Sequence, residues 1–330
     1  MRNIEAADLS RENGHAPHGA GADSPFIESL NPAMVALLDT AKRAALGQTT
    51  ILLTGESGTG KEVLARQIHR WSACREGPFV LINCTALTEQ LLESELFGHL
   101  GGAFTGAMND KPGWLKAVGG GTVFLDEIAE LSNSVQTTLL RFVQEQTLER
   151  NGDHQTIRID ARIIAASRQN LEEEVAAHHF REELYYRLNV ISMRLPPLRE
   201  RTEDIPDLAC SMLEQIAIAA NRPSLTLSHD ATEALVDYRW PGNIRELRNA
   251  LQRAATLART DVITIKDLPD RISSETAASA KTSNGTRLRE RERAYILRVL
   301  ADSPSLEQAA VTLGINVTTL WRKRKRYGIR

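Results

Sequence analysis

Short apolar runs alternate with amphipathic stretches along the first half of the chain. Strand-like runs occupy residues 51–54, 79–82, 122–125 and 162–166, and helical stretches cover 26–47, 61–71 and 89–97. From 203 to 257 the apolar positions recur at helical spacing throughout. The pattern therefore predicts an α/β fold, in which helices cover a parallel sheet, followed by an all-helical segment.

The two ends of the chain differ from its centre. Residues 1–26 lack apolar periodicity, so we expect a flexible N-terminal tail. Residues 273–286 are small and polar, which predicts a linker. The last segment, 287–330, carries eleven Lys or Arg against four Asp or Glu, a local charge of +7, although the whole chain has a net charge of −2. This basic end indicates a polyanion partner or, alternatively, a solvated basic helix.

Cysteine spacing and hydropathy narrow the class of protein. The cysteines Cys74, Cys84 and Cys210 are too far apart for a zinc pattern or a disulfide framework. We therefore expect reduced thiols and a cytoplasmic protein. We also expect no association with a membrane, because no apolar run is long enough to span one and the N-terminus lacks the pattern of a signal peptide.

A glycine-rich sequence joins a predicted strand to a predicted helix. It reads GESGTGK and consists of Gly55, Glu56, Ser57, Gly58, Thr59, Gly60 and Lys61. Such a loop is typical of nucleoside triphosphate binding, because glycines let backbone amides converge on phosphates and the lysine reaches the outer ones. Glu62 stands where a Mg²⁺-binding Ser or Thr is usual, so Thr59, a water molecule or a second site would serve the metal. The alternative is a chance glycine turn.

Two carboxylates at the end of another predicted strand supply such a second site. Asp126 and Glu127 follow the apolar run 122–125, and ligands bind at the carboxyl edge of a parallel sheet. Asp126 can hold Mg²⁺ directly or through water, and Glu127 can orient and deprotonate an attacking water. Such a pair is often only a strand end, but together with the upstream glycine-rich loop it favours nucleotide hydrolysis.

Several longer motifs resemble one family. They are GGAFTGA at 101–107, FREELYYRLNV at 180–190, LPPLRER at 195–201 and WPGNIRELRN at 240–249. With the glycine-rich loop they resemble the AAA+ domain of bacterial enhancer-binding proteins, the ATP-driven activators of sigma-54 RNA polymerase. The resemblance implies a P-loop domain with a parallel sheet and a helical lid, ATP and Mg²⁺ as cofactors, and a Fis-type helix-turn-helix. We expect a tail at 1–26, the α/β subdomain at 27–198, the lid at 199–272, a linker at 273–286 and the DNA-binding domain at 287–330.

The resemblance also implies roles for single residues. The loop that would press on sigma-54 is Gly102, Ala103, Phe104, Thr105, Gly106 and Ala107, with Phe104 as the main contact. Arg181 and Arg187 resemble arginine fingers that complete a neighbouring subunit's site; the alternative is a salt bridge on a helix surface. Arg245 resembles the sensor arginine of the lid. Asn83 resembles a switch asparagine that holds the catalytic glutamate, or caps a strand end.

The sequence departs from the family pattern in three places. After the fourth predicted strand the chain has Ser167 and Arg168, where the family usually has Thr-Asn. Leu100 and Lys116 stand where relatives often carry Glu, and the second of these glutamates pairs with an arginine that aligns with Arg150. Lys116 and Arg150 would repel each other. We therefore expect these departures to affect ATP hydrolysis less than they affect the coupling of hydrolysis to movement of the loop.

The C-terminal segment fits a helix-turn-helix. A helix of small residues, a glycine turn at Gly314 and a basic second helix follow an apolar helical face that would pair two subunits. Candidates for base contacts are Thr318, Thr319, Arg322 and Lys323, and candidates for phosphate contacts are Arg324, Lys325 and Arg326. The alternative is a basic helical tail.

These features together predict a sigma-54-dependent transcriptional activator. We expect it to bind upstream enhancer DNA, to assemble from dimers into a hexameric ring, and to remodel the sigma-54 RNA polymerase closed complex by hydrolysing ATP. The alternative is a DNA-binding regulator with an uncoupled or vestigial ATPase, but repressor relatives tend to lack GAFTGA. Because only about 26 residues precede the ATPase, too few for a folded sensor, we expect no N-terminal regulatory domain. Control would then lie with expression level or a separate regulatory protein, or the chain is a shortened relative of a two-component regulator.

Overall fold

The computed structural model describes residues 28–86, 88–99, 111–149, 156–222, 224–273 and residue 320. The predicted tail, nearly all of the linker and the helix-turn-helix apart from Leu320 lie outside these residues. The chain divides into two compact units, one formed by Met1–Gln215 with Arg239–Gln252 and the other by Ile216–Tyr238 with Arg253–Arg330. Within the described ranges, none of the helices combines the length and apolar character needed to traverse a bilayer.

Strands and helices alternate through most of the described chain. The strands are β1 (Ile51–Thr54), β2 (Phe79–Asn83), β3 (Gly98–His99), β4 (Lys111–Pro112), β5 (Thr122–Asp126), β6 (Thr147–Glu149), β7 (Thr156–Arg158), β8 (Arg162–Ser167), β9 (Ile191–Arg194), β10 (Thr226–Leu227) and β11 (Val262–Ile263). The helices are α1 (Pro32–Ala45), α2 (Lys61–Trp71), α3 (Glu89–Phe97), α4 (Trp114–Ala117), α5 (Asn133–Glu145), α6 (Leu171–Ala176), α7 (Glu182–Leu188), α8 (Ile205–Ala219), α9 (His229–Asp237) and α10 (Asn243–Leu257). Short 3-10 helices span Ile128–Glu130, Leu198–Glu200 and Thr202–Asp204.

Five strands of the first unit form one parallel sheet, in the order β2-β5-β8-β1-β9. In its register Thr54 lies opposite Ser167, and Asn83 lies opposite Asp126. Because all five strands run in the same direction, their carboxyl ends share one edge. The predicted α/β class with a parallel sheet is therefore confirmed.

The sheet separates two apolar clusters. Leu52 points into one cluster with side chains from β2, β5 and α5, whereas its neighbours Ile51 and Leu53 point into the other, with side chains of α1 and α2. This alternation follows from the two-residue period of a strand. Strands buried on both faces explain the continuous apolar runs in the sequence.

The predicted helices at 61–71 and 89–97 are confirmed as α2 and α3. The strands β2, β5 and β8 each extend one residue past the predicted end, and the added residues are polar: Asn83, Asp126 and Ser167. Backbone pairing therefore continues beyond the apolar run that marks each strand in the sequence.

Seven of the eleven strands in the described residues were not predicted, and β9 and β10 illustrate the reasons. The edge strand β9 reads Ile-Ser-Met-Arg, a mixed pattern of only four residues. The prediction that 203–257 is all helical is wrong at β10, which pairs in parallel with β11. Because that partner follows far along the chain, local periodicity carries no sign of the pairing.

Helix α1 is fastened to the first unit at both ends. Just before it, the Ser29 hydroxyl donates to Asp204 at 2.6 Å. At its C-terminus the buried Arg162 donates to the carbonyl oxygens of Ala44 and Ala45 at 2.8 and 2.7 Å. Cations favour the C-terminal end of a helix dipole, so the first residue of β8 caps α1.

The second unit contains α9 and the β10–β11 pair. Ser228 caps α9 by accepting from the amide of Ala231. Arg222 donates to the carbonyl oxygen of Ala255, which fixes the turn before β10 to the end of α10 within this unit. Leu235 and Ile263 are fully buried in its core.

Candidate nucleotide-binding site

The carboxyl edge of the central sheet brings the predicted chemistry together. β1 ends at Thr54 and runs into the glycine-rich loop, β5 ends at Asp126, and β8 ends at Ser167. Because β8 lies between β1 and β5, the loop, the paired carboxylates and Arg168 converge. Ligands bind at this edge of parallel sheets.

The backbone of the glycine-rich loop is shaped to receive an anion. Gly55, Gly58 and Gly60 have φ angles of 147°, 77° and 102°, which favour glycine. Within the described part of the chain, the amides of Gly58, Gly60 and Lys61 donate to no protein acceptor. Lys61 also begins α2, whose N-terminus carries partial positive charge. Free amides at a helix N-terminus fit the phosphates of a nucleotide.

Lys61 is buried inside this loop, with 6% of its surface exposed. Its Nζ donates to the carbonyl oxygens of Gly55 and Glu56 at 2.9 and 3.3 Å, which uses two of its three protons. Burial lowers the pKa of Lys61, while the negative charges of Glu127 and Asp126 oppose that change. A buried ammonium with a spare proton, bonded to no carboxylate within the described residues, fits an anionic ligand.

Thr59 and Glu62, the two residues considered in connection with a metal-binding hydroxyl, both make hydrogen bonds within the loop and α2. The Thr59 hydroxyl donates to the carbonyl oxygen of Glu56 at 2.9 Å, and the residue is 1% exposed. Glu62 accepts from Arg66 Nε at 2.9 Å on the outer face of α2. Thr59 thus stabilises the loop itself, which leaves Asp126 as the stronger candidate for holding the metal.

Asp126 and Glu127 lie where β5 leaves the sheet. Burial raises the pKa of Asp126, the adjacent Glu127 raises it further, and Lys61 opposes both. Lys61 thus compensates the negative charge of Asp126 only in part, and a bound Mg²⁺ would add positive charge there. Glu127 has a left-handed backbone, with φ 57° and ψ 49°, a costly conformation for a non-glycine residue that is characteristic of functional sites.

A second group of residues holds the loop from its other side. Asn243 is fully buried and donates to the Ser57 carbonyl oxygen at 3.0 Å and to Glu56 Oε2 at 3.1 Å. Arg199 donates to the same Glu56 oxygen at 2.8 Å, and chiefly this bond lowers the pKa of Glu56 to about 2. Arg201, also buried, donates to the Thr59 carbonyl oxygen at 2.8 Å.

These residues belong to motifs on which the family resemblance rests, but the sequence alone indicates no role for them. Arg199 and Arg201 lie in LPPLRER, and Asn243 lies in WPGNIR. Asn243 follows a glycine, so by itself it is typical of a turn. Only the fold shows that both motifs reach the glycine-rich loop.

Arg245, the candidate sensor arginine, also reaches this loop. Its NH1 donates to Ser57 Oγ at 2.8 Å, and the neighbouring Ile244 amide donates to the Gly58 carbonyl oxygen at 2.9 Å. A Cβ added to Gly58 would lie 2.5 Å from the carbonyl oxygen of Gly242. This close approach requires glycine at position 58.

Comparison with known families agrees with this geometry. Residues 27–194 match the Sigma-54 interaction domain, residues 199–285 match the AAA+ ATPase lid domain, and residues 287–327 match the family described as bacterial regulatory protein, Fis family. The chain belongs to the sigma-54-dependent transcriptional activators. It therefore combines an AAA+ ATPase with a helix-turn-helix, as the sequence analysis predicted.

Individual relatives and a solved structure support the same assignment. The chain is 49% identical over 304 residues to the alginate biosynthesis transcriptional regulatory protein AlgB of Pseudomonas putida, covering 92% of this chain and 67% of that protein. It is 48% identical over 260 residues to the Nif-specific regulatory protein of Azotobacter vinelandii, covering 79% and 50%. The crystal structure of NtrX from Brucella abortus in complex with ADP matches with a TM-score of 0.70 at 34% identity, covering 92% of this chain and 70% of that one.

The candidate fingers of this activator lie at the two ends of α7. Arg181 precedes the helix, its amide donates to Gln136 Oε1 at 2.8 Å, and its NH2 lies 3.6 Å from a Glu183 carboxylate oxygen. Arg187 is exposed in the last turn. Within the described residues, neither arginine bonds to the glycine-rich loop.

The GAFTGA segment of this activator lies outside the described residues, as do Leu100 and Arg150. Its two ends are described, and they are held together because β3 and β4 pair antiparallel, with Gly98 opposite Pro112. A Cβ added to Gly113 would lie 2.4 Å from the carbonyl oxygen of Leu96. The base of the loop is thus packed against the end of α3, and Lys116 is exposed on α4.

Proposed function

We propose that this chain hydrolyses ATP with the aid of Mg²⁺ and uses the cycle to move residues 102–107 against sigma-54 RNA polymerase. The observation that carries the proposal is the convergence of the free loop amides, the buried Lys61 and the Asp126–Glu127 pair at one sheet edge. The structures of NtrX in complex with ADP and with ATP support a nucleotide in the same place.

Each residue of the site has a separate task in hydrolysis. Bound ATP supplies the phosphoanhydride bond, and Mg²⁺ supplies positive charge that neutralises its phosphates. Lys61 would hold the outer phosphates with its spare proton, and Asp126 would hold Mg²⁺. Glu127 would orient a water molecule and accept its proton. Arg245 would exchange its bond to Ser57 for one to a phosphate, which links the lid to nucleotide state.

We further propose that Arg181 and Arg187 act on a neighbouring subunit. The lack of any bond from either to the glycine-rich loop of their own chain, among the described residues, supports this role. A guanidinium near the transferred phosphate stabilises the charge that develops there. A site completed in this way requires an oligomer, which we propose grows from a dimer to a hexameric ring.

The remaining segments would connect the ATPase to its targets. Phe104 would be the main contact with sigma-54, and residues 318–326 would bind upstream DNA. We propose the division 1–26, 27–198, 199–272, 273–286 and 287–330, which agrees in outline with the matched family ranges. A separate regulatory protein or the expression level would control the activity.

The experiment that tests this function measures sigma-54 binding in the presence of ADP and a phosphate transition-state mimic. We expect binding only with the mimic, and Phe104→Ala should abolish both binding and open-complex formation while ATP hydrolysis persists. Leu46→Ala removes an apolar side chain that is 79% exposed at the end of α1 and serves as the matched control.

Two outcomes would contradict the proposal. Normal open-complex formation by Phe104→Ala would show that the loop is not the contact. Hydrolysis without any nucleotide-dependent binding to sigma-54 would favour the alternative, a DNA-binding regulator with an uncoupled ATPase.

Glu127→Gln should bind ATP normally and fail to hydrolyse it, because only the proton acceptor is lost.

A further inference from the structure

The carboxylate of Glu127 is held by Arg168, one of the residues that depart from the family pattern. Glu127 Oε2 accepts from the backbone amide of Arg168 at 3.2 Å and lies 3.9 Å from its Nε. The Glu127 side chain is 16% exposed. Two donors from one residue therefore approach the same carboxylate oxygen, which leaves the other oxygen of Glu127 for a different partner.

The guanidinium of Arg168 is itself fixed by a second carboxylate. Its NH2 donates to Glu130 Oε1 at 2.9 Å, and Gln169 Nε2 donates to the same oxygen at 3.0 Å. Glu130 ends the 3-10 helix that follows Glu127, and its amide donates to the Glu127 carbonyl oxygen at 3.1 Å. Glu127, Arg168 and Glu130 thus form a closed set of contacts within one chain.

The asparagine assigned by resemblance is engaged elsewhere. Asn83 Oδ1 accepts from the amide of Thr85 at 2.9 Å and from its hydroxyl at 2.7 Å. These bonds form a local turn after β2. Among the described residues, no hydrogen bond joins Asn83 to Glu127. The orientation of Glu127 therefore comes from the end of β8 and not from the end of β2.

We propose that Arg168 is the positioning residue for Glu127 in this chain and that Glu130 is its anchor. The inference rests on the proposed function, in which Glu127 accepts a proton from the attacking water. Arg168 holds one carboxylate oxygen so that the other faces the site edge, where that water would lie. The role needs no bond from Arg168 to a phosphate. The arginine thus acts on turnover and not on nucleotide binding.

The test compares the full-length variants Arg168→Ala, Glu130→Ala and the double variant. Arg75→Ala, which breaks an exposed arginine–glutamate pair, is the matched control. We expect Arg168→Ala to lower kcat about tenfold, a fraction of the 10²–10⁴ that a proton-transferring side chain contributes, because the Arg168 amide remains. KM for ATP, and Kd for a fluorescent ATP analogue measured without turnover, should stay within about twofold.

Coupling between the two substitutions gives the sharpest readout. If Glu130 acts only by holding Arg168, Glu130→Ala lowers kcat in the wild-type background and has no further effect beside Arg168→Ala. Arg168→Lys keeps the charge but loses the fork of donors, so it should fall between wild type and Arg168→Ala.

Other results would overturn the inference. If Arg168→Ala binds the ATP analogue with a tenfold weaker Kd and unchanged kcat, Arg168 is a phosphate ligand. If Arg168→Ala raises kcat, Arg168 slows hydrolysis in the wild-type protein. Equal kcat in wild type and Arg168→Ala would leave Glu127 positioned by other groups. Failure of the proposed function is distinguishable, because wild type would then hydrolyse no ATP or Glu127→Gln would keep full turnover.

Discussion

Glu56 places a negative charge in a loop that is proposed to bind anionic phosphates. Arg199 and Asn243 both donate to its carboxylate, and the first of these bonds is the main reason that its pKa falls to about 2. The guanidinium cancels the charge that would repel a phosphate, and it fixes the loop before any ligand arrives. Arg199 is thus a residue through which the loop is preorganised.

This ion pair gives the nucleotide-free protein a defined dependence on pH. A carboxylate with a lowered pKa contributes stability that is complete above its ordinary value of 4.5 and is lost as the pH falls toward about 2. Glu56→Gln should therefore lower the free energy of unfolding at pH 7, and the difference from wild type should shrink between pH 4.5 and 2. We expect less than about 1 kcal/mol, because both side chains are more than two-fifths exposed.

Chemical denaturation at several pH values measures this difference. Glu76→Gln, which affects a pair whose glutamate is 89% exposed, controls for the loss of one surface charge. A difference for Glu56→Gln that stays constant from pH 7 to pH 3 would mean that the charge of Glu56 contributes nothing to stability.

At the scale of secondary structure, α1 depends on a residue from the sheet. Arg162 is 2% exposed and provides the bonds to the carbonyl oxygens of Ala44 and Ala45. Arg162→Met preserves much of the apolar stem but leaves those carbonyls with fewer donors. We expect a loss of about 2 kcal/mol in the free energy of unfolding, typical of a hydrogen bond to a charged group, and a melting temperature lower by about 4–8 °C.

Thermal denaturation of the first unit checks this prediction. Arg43→Met is the matched control, because Arg43 lies in the last turn of α1 and pairs with Asp39, and both side chains are exposed. Equal melting temperatures for the two variants would mean that water replaces Arg162 at the helix end.

The elements differ in how well the sequence predicts them. Strands β1 and β5 were predictable because burial on both faces leaves a continuous apolar run. Helix α2 was predictable because burial of one stripe leaves apolar residues at helical spacing. Strand β9 was not, because its four residues, Ile-Ser-Met-Arg, form a short run of mixed apolar and polar residues. The contacts of Arg162 with α1 and of Asn243 with the glycine-rich loop join residues more than a hundred positions apart, so no local pattern reports them.

In the candidate site, too, local features were predictable and long-range contacts were not. The placement of Lys61, Asp126 and Glu127 at one edge of the sheet was predictable, because it follows from a motif and the direction of a strand. The side-chain bonds of Arg199 and Asn243 to the glycine-rich loop, and of Glu130 to Arg168, were not predictable, since all three are ordinary polar residues in the sequence. Arg168 was noticed only as a departure from the family, and its contacts with Glu127 and Glu130 required the fold.

At the scale of the whole molecule, a shared site makes activity a property of the oligomer. If Arg181 completes a neighbour's site, dilution separates the two halves, so ATP hydrolysis per subunit should rise with protein concentration. Arg181→Ala should bind nucleotide normally and fail to hydrolyse it, as should Glu127→Gln for a different reason. Each variant retains the half of the site that the other has lost.

Mixing these two inactive variants therefore separates a shared site from a self-contained one. In a randomly mixed ring about a quarter of the interfaces would join an intact Glu127 to an intact Arg181, and hydrolysis should reappear in that proportion. Light scattering on the same samples would verify that both variants still assemble. The control variant is Arg70→Ala, which changes an arginine of α2 away from α7. Mixed with Glu127→Gln, it should show only the activity of the Arg70→Ala subunits. Mixtures that stay inactive although the variants assemble together would mean that each subunit supplies its own arginine, and the ring would then have no part in hydrolysis.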